Sequence, residues 1–169
     1  KVFVLDSLTT GPELELLAQH ANELAQSDRD FDDLTHELRR YASHTHLMFS
    51  LERIDNFVRN GRVSPLVAKV AGVLGVRIVG QASEEGELGV LNKARGEKRA
   101  LKQLFENMET VGFVGGRVRI RHTENPKMAE ALAAKIREIW PSCDIRIGAN
   151  RGLCSYYCEP GGVLVGFEA

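Results

Sequence analysis

The chain has 169 residues, of which 43% are hydrophobic and 27% are charged, and a chain of this length buries roughly two-thirds of its extended surface without needing disulfides. Its 22 Lys and Arg against 23 Asp and Glu produce no overall field that attracts nucleic acid or an anionic membrane, which argues against both partners. A cytoplasmic protein is favoured because the three cysteines have no apolar signal segment before them and because no uncharged run reaches the ~20 residues that a membrane span needs.

The chain is predicted to open with one strand and two helices. Residues 2–5, VFVL, form a continuous apolar run that is typical of strands covered on both faces. Because the chain starts inside this run, we expect it to be a portion of a longer protein. Thr10 and Glu13 have the spacing of a capping box for a first helix, and Asp30 is placed to cap a second. The residues expected to face inward are Leu14, Leu17, Ala18, Ala21, Leu24 and Ala25 in the first helix, and Phe31, Leu34, Leu38 and Tyr41 in the second.

Strands and helices then alternate along the rest of the chain. Strands are predicted over 46–51, 76–83, 86–95, 117–122, 144–149 and 161–168, with a hairpin turn at 84–86. Helices are predicted over 52–59, 64–74, 96–110 and 125–140. Inward faces are expected to be Leu101, Leu104, Phe105 and Met108 in the third of these helices, and Ala129, Leu132, Ala133, Ile136 and Trp140 in the fourth. This mixture indicates the α/β class, and the hairpin predicts a sheet that is at least partly antiparallel.

Asp6 and Ser7 follow the first predicted strand at its carboxyl end, which is where open α/β sheets place ligands. The free N–H groups at the start of the next helix point towards the same crevice and suit an anion. The same residue types also close turns for purely structural reasons. Both interpretations stay open.

Two histidines and two cysteines raise the question of a metal. His44 and His46 lie on one face of a predicted strand, and Cys154 and Cys158 are four residues apart. Zinc sites combine such residues, but this cysteine spacing differs from the usual zinc knuckle and a fourth ligand is not evident. We therefore predict neither a metal site nor a redox pair.

Arginines alternate with apolar residues along the strand predicted at 117–122. A basic row of this kind, here Arg117, Arg119 and Arg121, is usually a solvated face. It is accompanied by no Ser/His/Asp triad, phosphate-binding loop or nucleophile elbow. We therefore predict no catalytic residue.

Two further stretches are candidates for contact with a ligand. Residues 56–79 place Arg62 at the head of a nearly uncharged segment of Val, Ala, Leu and Gly. Near the end of the chain, Tyr156 and Tyr157 would point one hydroxyl to each side if that segment is extended. A tyrosine hydroxyl in an apolar pocket can hold one polar head group, although both residues also fit the rim of an ordinary core.

Five ordered segments resemble the DegV family of bacterial fatty-acid-binding proteins. They are VFVLDSLTTGPE, LMFSLERIDNFVRNGRVS followed by the apolar segment and VRIVG, LNKARGEKRALKQL, VRIRHTENPKMAEALAAKI, and GGVLVGFE. The resemblance runs through essentially the whole chain and covers the later part of the family pattern, since members begin with a domain carrying TSQPS-like and SSxLSGT-like segments. It implies that residues 1–44 are the remnant of a first, parallel-sheet α/β domain and that residues 45–169 form a second, lipid-binding α/β domain with a mixed sheet.

In this family, two α/β domains enclose one long-chain fatty acid. Hydroxyl residues of the first domain and a histidine from a GTHTGPG-like turn hold the carboxylate; here the turn reads SYYCEPGG, with Tyr157 at the histidine position. Tyrosine can still donate one hydrogen bond to a carboxylate. Members present the carboxylate to a fatty acid kinase that makes acyl phosphate. The resemblance thus implies a binding subunit, itself not an enzyme, with a fatty acid as ligand, no cofactor and a kinase as partner.

The resemblance also implies an acyl channel along the helix predicted at 64–74, where Ala68, Ala71 and Gly72 leave space that larger side chains would fill. Burying about 16 methylenes at ~0.8 kcal/mol each gives about 13 kcal/mol before the costs of association. The residues expected to contact the lipid are Phe49, Ile54, Phe57, Leu66, Ala68, Val70, Ala71, Leu74, Ile78, Tyr156 and Tyr157. Asp6, Ser7 and Arg62 are expected to contact the head group or to dock a partner.

Two other functions stay open at this stage. One is a small hydrolase or phosphotransferase that uses Asp6 and Ser7 at the end of a strand. The other is a regulatory module whose core is filled by its own side chains and which binds no ligand.

Overall fold

The computed structural model describes residues 1–63, 75–83 and 88–169. Within these ranges the helices are α1 (Gly11–Ala25), α2 (Phe31–Ala42), α3 (Asp55–Arg59), α4 (Glu97–Thr110), α5 (Pro126–Ile139) and α6 (Gly152–Cys158). The strands are β1 (Thr45–Leu51), β2 (Val76–Ala82), β3 (Leu88–Arg95), β4 (Arg117–His122), β5 (Asp144–Ala149) and β6 (Val163–Glu168).

These strands form one six-stranded sheet in the order β3-β2-β1-β6-β4-β5. The β4–β5 pair is parallel, whereas the other neighbouring pairs are antiparallel. The prediction of an α/β fold with a mixed sheet is therefore confirmed. The hairpin is also confirmed by the β2–β3 pairing, from Val76 opposite Arg95 to Ala82 opposite Leu88, although its turn lies outside the described residues.

One face of the sheet is covered by α4 and α5. Their predicted stripes pack with the inward residues of β4 and β6 in a single core cluster. Leu104, Met108, Leu132 and Ile136 are each 0% exposed, and full burial of such a side chain contributes roughly 1.5–3 kcal/mol. Apolar spacing alone thus predicted both helices and the faces they bury.

Helix α1 lies on the opposite face, over β6 and β4, and approaches β6 closely. A Cβ at Gly166 would meet the backbone of Pro12 and Glu13, with 2.7 Å to the Glu13 Cα. The predicted inward stripe of α1 was wrong in part, because Leu14 is 45% exposed whereas Leu16 is 0% exposed. The face of α1 that lies on the sheet therefore differs from the face predicted from its apolar residues. The difference arises because α1 also presents polar side chains to β4.

The arginine row of β4 supplies those partners, and its prediction as a solvated face was wrong. Arg119 is 1% exposed, and the three arginines donate to side chains spaced four residues apart on α1. The pairs are Arg117 with Glu23 at 2.9 Å, Arg119 with Gln19 at 2.7 and 3.1 Å, and Arg121 with Glu15 at 2.6 and 2.7 Å. Four helical residues rise about 6 Å, which matches two strand residues at about 6.7 Å, so the two rows stay in register.

The predicted capping box at Thr10 and Glu13 was also wrong. Thr10 precedes α1 in an extended conformation, but its side chain makes no capping hydrogen bond. Glu13 is buried and instead accepts hydrogen bonds from the Thr9 hydroxyl and, at 2.9 Å, from the Thr45 hydroxyl of β1. In α2 the prediction is confirmed, because Asp30 accepts from the backbone N–H groups of Asp32 and Asp33.

Residues 1–10 contain no strand, so the strand predicted at residues 2–5 was wrong for this structure. Val2 and Val4 are 91% and 83% exposed. An apolar run becomes a strand only when a neighbouring strand pairs with its backbone, and this run has none beside it among the described residues. The division of the chain into residues 1–44 and 45–169 stays a prediction.

Candidate ligand-binding cavity

A cavity of about 760 Å³ lies beside α1 on the same side of the sheet, over β1, β2, β3 and the part of β6 at Leu164. Pockets for small ligands typically enclose about 300–1,000 Å³. Its lining combines an apolar floor, a roof of two short helices and a polar rim. The described residues that line it are Asp6, Ser7, Leu8, Thr9, Thr10, Leu47, Phe49, Leu51, Phe57, Gly61, Arg62, Val63, Ala82, Leu88, Leu153, Cys154, Tyr157, Cys158 and Leu164.

The floor is built by alternation along β1. Leu47, Phe49 and Leu51 point to the cavity, whereas Met48 between them joins the core under α4 and α5. Leu164 extends the floor onto β6, and Ala82 and Leu88 extend it to the sheet edge formed by β2 and β3. The floor is therefore apolar across four neighbouring strands.

The roof consists of α3 and α6, which are held together by aromatic and amide contacts. The Phe57 and Tyr157 rings lie 4.7 Å apart between centroids. The Asn56 side chain donates to the Tyr156 carbonyl at 2.8 Å, and the Asn60 side chain donates to the Tyr156 hydroxyl at 3.1 Å. Tyr157 thus faces the cavity, while Tyr156 is held on the outside of the roof.

Among the described lining residues, hydroxyl groups and the cation Arg62 form the rim. Ser7, Thr9 and Thr10 lie on the segment before α1, where the Thr10 hydroxyl is 3.5 Å from the Cys154 Sγ. Arg62 follows α3 and places its guanidinium 5.8 Å from the centroid of the Tyr157 ring. The rim can therefore offer hydrogen-bond donors and one positive charge to an anionic group.

The hydroxyl-bearing segment is anchored to the sheet by Glu13. Burial raises the pKa of this carboxyl, and the hydrogen bonds from Thr9 and Thr45 oppose that rise. Because Glu13 is 6% exposed, its contacts fix the path of residues 9 and 10 beside β1. The position of the rim thus depends on a buried acid.

A second polar network lies behind the roof and holds the turn before β6. Arg77 of β2 is buried and donates to the Gly161 carbonyl at 2.8 Å, to Glu52 at 2.5 Å and to Glu97 at 3.0 Å. The Asn125 side chain donates to the same carbonyl at 2.9 Å and to Glu97 at 2.8 Å. The turn that leads from α6 into β6 is therefore tied to both β2 and the start of α4.

The structure brings together six of the residues predicted to form a site. They are Asp6, Ser7, Phe49, Phe57, Arg62 and Tyr157. Ile54 and Ile78 pack with Phe49 in the apolar cluster below the cavity without lining it. The remaining predicted contacts, Leu66, Ala68, Val70, Ala71 and Leu74, lie outside the described residues, as does the channel proposed along 64–74.

The tyrosine hydroxyls were predicted to point to opposite sides only if their segment is extended, and residues 152–158 instead form helix α6. Leu153 and Cys154 therefore line the cavity from positions four and three residues before Tyr157, on the same face of the helix. Sequence reasoning missed Leu153 and Cys154, and it also missed Leu47 and Leu51. The period-two pattern of β1 could have found the two leucines, because Phe49 lies between them.

The residues that the structure describes include no group of three or more His, Cys, Asp or Glu side chains arranged to bind a metal. Nor does that part of the chain contain a helix with the length and apolarity required to cross a bilayer. Cys158 is 2% exposed, and burial raises the pKa of its thiol to about 11.

Comparison with known proteins gives a consistent family signal. The model of a family described as "Uncharacterised protein, DegV family" matches residues 1–169. A DegV domain-containing protein of Streptococcus pyogenes serotype M1 is 42% identical over 167 residues, which cover 99% of this chain and 60% of that relative. This chain thus spans about three-fifths of the length of the curated relatives it matches.

Two solved structures are similar over nearly all of the chain. The Streptococcus pneumoniae fatty acid kinase (Fak) B3 protein loaded with linoleic acid has a TM-score of 0.96 at 40% identity, covering 99% of this chain and 60% of its own. A DegV family protein from Eubacterium eligens loaded with heptadecanoic acid has a TM-score of 0.95 at 35% identity, covering 100% of this chain and 61% of its own. Both proteins carry a long acyl ligand.

Proposed function

This chain belongs to the DegV family, and on that basis we propose that it supplies the acyl-binding part of a cytoplasmic fatty-acid-binding protein. The observation that carries the proposal is the cavity of about 760 Å³, with its apolar floor and its rim of hydroxyls and Arg62. Such a lining fits a long apolar chain that ends in one anionic group. The similarity to proteins loaded with linoleic and heptadecanoic acid supports the same ligand class.

The affinity is expected to come from the acyl chain. About 16 buried methylenes contribute roughly 13 kcal/mol at ~0.8 kcal/mol each, from which association and ordering costs subtract several kcal/mol. The polar groups of the rim then decide which end of the ligand lies where. In this proposal the acyl chain lies on the floor formed by Leu47, Phe49, Leu51 and Leu164.

The carboxylate is assigned to Tyr157 and Arg62. The Tyr157 ring lines the cavity and packs at a tilt against the Phe57 ring, so its hydroxyl can donate to one carboxylate oxygen. Arg62 contributes a positive charge on the same side of the roof. Ser7 and the hydroxyls near it offer further donors, whereas Asp6 carries the same charge as the ligand and suits contact with a partner instead.

The partner proposed is a fatty acid kinase. In this scheme the chain binds and presents the acyl carboxylate, and the kinase transfers the phosphoryl group. The chain itself supplies no catalytic residue, cofactor or metal. Arg62 is exposed at the mouth of the cavity, so we assign it to both carboxylate electrostatics and kinase docking.

The proposal can be tested on the full-length protein purified from bacteria. Native mass spectrometry and lipid extraction should find one long-chain fatty acid per protein, and added palmitate or oleate should raise the melting temperature of delipidated protein. A protein without extractable lipid and without stabilisation would contradict the proposal. Ester hydrolysis without any partner, abolished by Ser7→Ala, would favour the hydrolase hypothesis instead.

The adjacent tyrosines offer a matched pair of variants. Tyr157→Phe removes a donor to the carboxylate, and hydrogen bonds to charged groups contribute about 1.5–3 kcal/mol, so palmitate should bind roughly tenfold or more weakly. Tyr156→Phe removes a hydroxyl that contacts Asn60 outside the cavity, so it should leave the dissociation constant nearly unchanged. Equal effects of the two variants in a fluorescent fatty acid displacement assay would exclude the assigned head-group position.

A further inference from the structure

We propose that Glu159 is a positioning residue for the head-group site: its carboxylate caps helix α3 and thereby holds Arg62 in place relative to Tyr157. This inference rests on the proposed function and deepens it, because Arg62 and Tyr157 are the residues to which the carboxylate of the ligand is assigned. It is drawn from the backbone conformation of Glu159, from its burial and from its hydrogen bond to α3.

Glu159 has a backbone conformation that glycine normally occupies. It ends helix α6 with a φ of 52° and a ψ of 163°, and helices that end at a positive φ usually do so at a glycine. Another residue type keeps such a conformation only when its surroundings fix it, and residues of this kind cluster at functional sites. The side chain of Glu159 is therefore expected to make a contact that glycine could not make.

That contact is a cap that the N-cap residue of α3 does not provide. Glu159 is 7% exposed, and its carboxylate accepts a hydrogen bond of 2.8 Å from the backbone N–H of Asn56, in the first turn of α3. Ile54, at the N-cap position of that helix, makes no side-chain capping hydrogen bond. A negative charge stabilises a helix N-terminus, and a helix of five residues depends on contacts with the rest of the fold.

Helix α3 in turn determines where the positive charge of the rim lies. The Arg62 N–H donates to the Phe57 carbonyl at 2.9 Å, and the Gly61 N–H donates to the Val58 carbonyl at 3.1 Å. With Gly61 at a φ of 63°, these bonds form a Schellman motif at the end of α3. The backbone of Arg62 is thus attached to α3, so a shift of α3 against α6 changes the 5.8 Å between the guanidinium and the centroid of the Tyr157 ring.

Glu159 joins α3 to a turn that is itself fixed. Two residues further on, the Gly161 carbonyl accepts hydrogen bonds from the Arg77 and Asn125 side chains at 2.8 and 2.9 Å. The Gly161 N–H donates to the Thr123 carbonyl at 2.8 Å. The carboxylate of Glu159 therefore extends from an anchored segment and ties the short helix to it.

The experiment compares two ligands with the same chain, palmitate and hexadecanol, on the full-length, delipidated protein. Glu159→Gly removes the cap and relieves the backbone strain, so the protein should stay folded while α3 is no longer held at its first turn. Because the carboxylate of palmitate then loses well-placed partners, palmitate should bind about five- to tenfold more weakly, whereas hexadecanol should bind within about twofold of its wild-type affinity. Displacement of a fluorescent fatty acid measures both dissociation constants.

Two further variants separate capping from other effects. Glu159→Gln keeps an oxygen acceptor for the Asn56 N–H and should bind palmitate within about threefold of wild type. Glu124→Gly is the matched control, because Glu124 also has a positive φ, of 54°, and is exposed outside the cavity lining. It relieves the same kind of strain and should leave the affinity for palmitate unchanged.

The outcomes distinguish this role from the proposed function. If wild type binds palmitate and Glu159→Gly binds it equally well, the role of Glu159 is refuted while the proposed function stands. Equal losses for palmitate and hexadecanol would also refute the role, because Glu159 would then support the whole cavity. So would a loss in Glu159→Gln as large as that in Glu159→Gly, since the cap would not be its cause. If wild type binds neither ligand, the proposed function itself fails.

Discussion

Replacing Arg119 with methionine tests whether the arginine row positions α1. Arg119 donates to the Gln19 side chain on α1, to the Asp144 carboxylate at 2.8 Å and to the Asp144 and Val118 carbonyls at 2.9 and 3.0 Å. Methionine has a similar length and no donor. The variant therefore keeps most of the packing and removes the hydrogen bonds of the guanidinium.

The loss of folding stability caused by Arg119→Met can be estimated from the surroundings of the groups that Arg119 contacts. Hydrogen bonds to charged groups contribute about 1.5–3 kcal/mol each, but removing a buried guanidinium also removes its own desolvation penalty. Asp144 is 48% exposed, so water can replace the hydrogen bond that its carboxylate loses after the substitution. The Gln19 side chain, in contrast, loses the guanidinium that held it in place. We expect a net loss of about 2–4 kcal/mol, and at about 2–4 °C per kcal/mol for a chain of this size the melting temperature should fall by roughly 5–15 °C.

Thermal and urea unfolding measure this loss, and Arg146→Met provides the control. Arg146 contacts the same Asp144 at 3.6 Å, but it is 60% exposed, so its removal should cost less than about 1 kcal/mol. The hydrogen bond from Arg119 holds the pKa of the Asp144 carboxyl below its usual value. That stabilisation is present above the ordinary pKa of 3.8 and is lost as the pH falls through the lowered pKa, so the gap between wild type and Arg119→Met should narrow below about pH 4. Equal losses for the two variants at neutral pH would refute the reasoning.

Two other predictions concern the polar rim and the cavity thiols. Burial raises the pKa of Glu13, so its contribution to stability is fully present below the ordinary value of 4.5 and is lost as the pH rises through the raised folded value. Glu13→Gln keeps an acceptor for Thr45 without the charge, so it should be at least as stable as wild type at pH 7, and this advantage should disappear near pH 4. Urea unfolding at both pH values measures the difference in stability. A variant less stable than wild type at pH 7 would contradict the prediction. With its pKa near 11, the Cys158 thiol is ionised in only about one molecule in a thousand at pH 8, so iodoacetamide should alkylate Cys154 first. Palmitate should slow alkylation of Cys154, which lines the cavity, and leave Cys143 outside it unaffected; equal protection of both cysteines in a mass-spectrometric time course would argue against a ligand in this cavity.

Local patterns were sufficient to predict the elements whose burial follows their own periodicity. Helices α4 and α5 and the six strands of the sheet lie where apolar spacing and turn residues placed them. For α4 and α5 the buried faces agree as well, because a long apolar stripe has one stable way to pack on a sheet. The helix α6 was not recognised, since most of its seven residues, GLCSYYC, have weak helical preference. It forms where contacts with α3 and with the apolar cluster around Leu164 of β6 stabilise it.

Features that depend on two distant segments could not be predicted from either one. The sequence shows a basic row at Arg117, Arg119 and Arg121 and a polar row of Glu15, Gln19 and Glu23 on α1, but it does not show that the two rows face each other. The inward face of α1 was mispredicted for this reason. The same holds for the cavity. Phe49, Phe57 and Tyr157 were expected there from the family resemblance. Leu164 and Cys154 line it because of the strand order and the position of α6, which the sequence does not show.

The position of the cavity follows from the arginine row. Three arginines on β4 fix α1 over β4 and β6, and Gly166 allows its first turn to lie directly on β6. The long helix therefore contacts β1 at Thr45 and leaves the apolar residues of β2, β3 and the far part of β1 on this face in need of some other cover. Among the described residues, the short helices α3 and α6 provide it only in part and leave the cavity beneath them. A chain that filled its core with α1 would have no such space, so the polar match between α1 and β4 is what makes an apolar site available on the neighbouring strands.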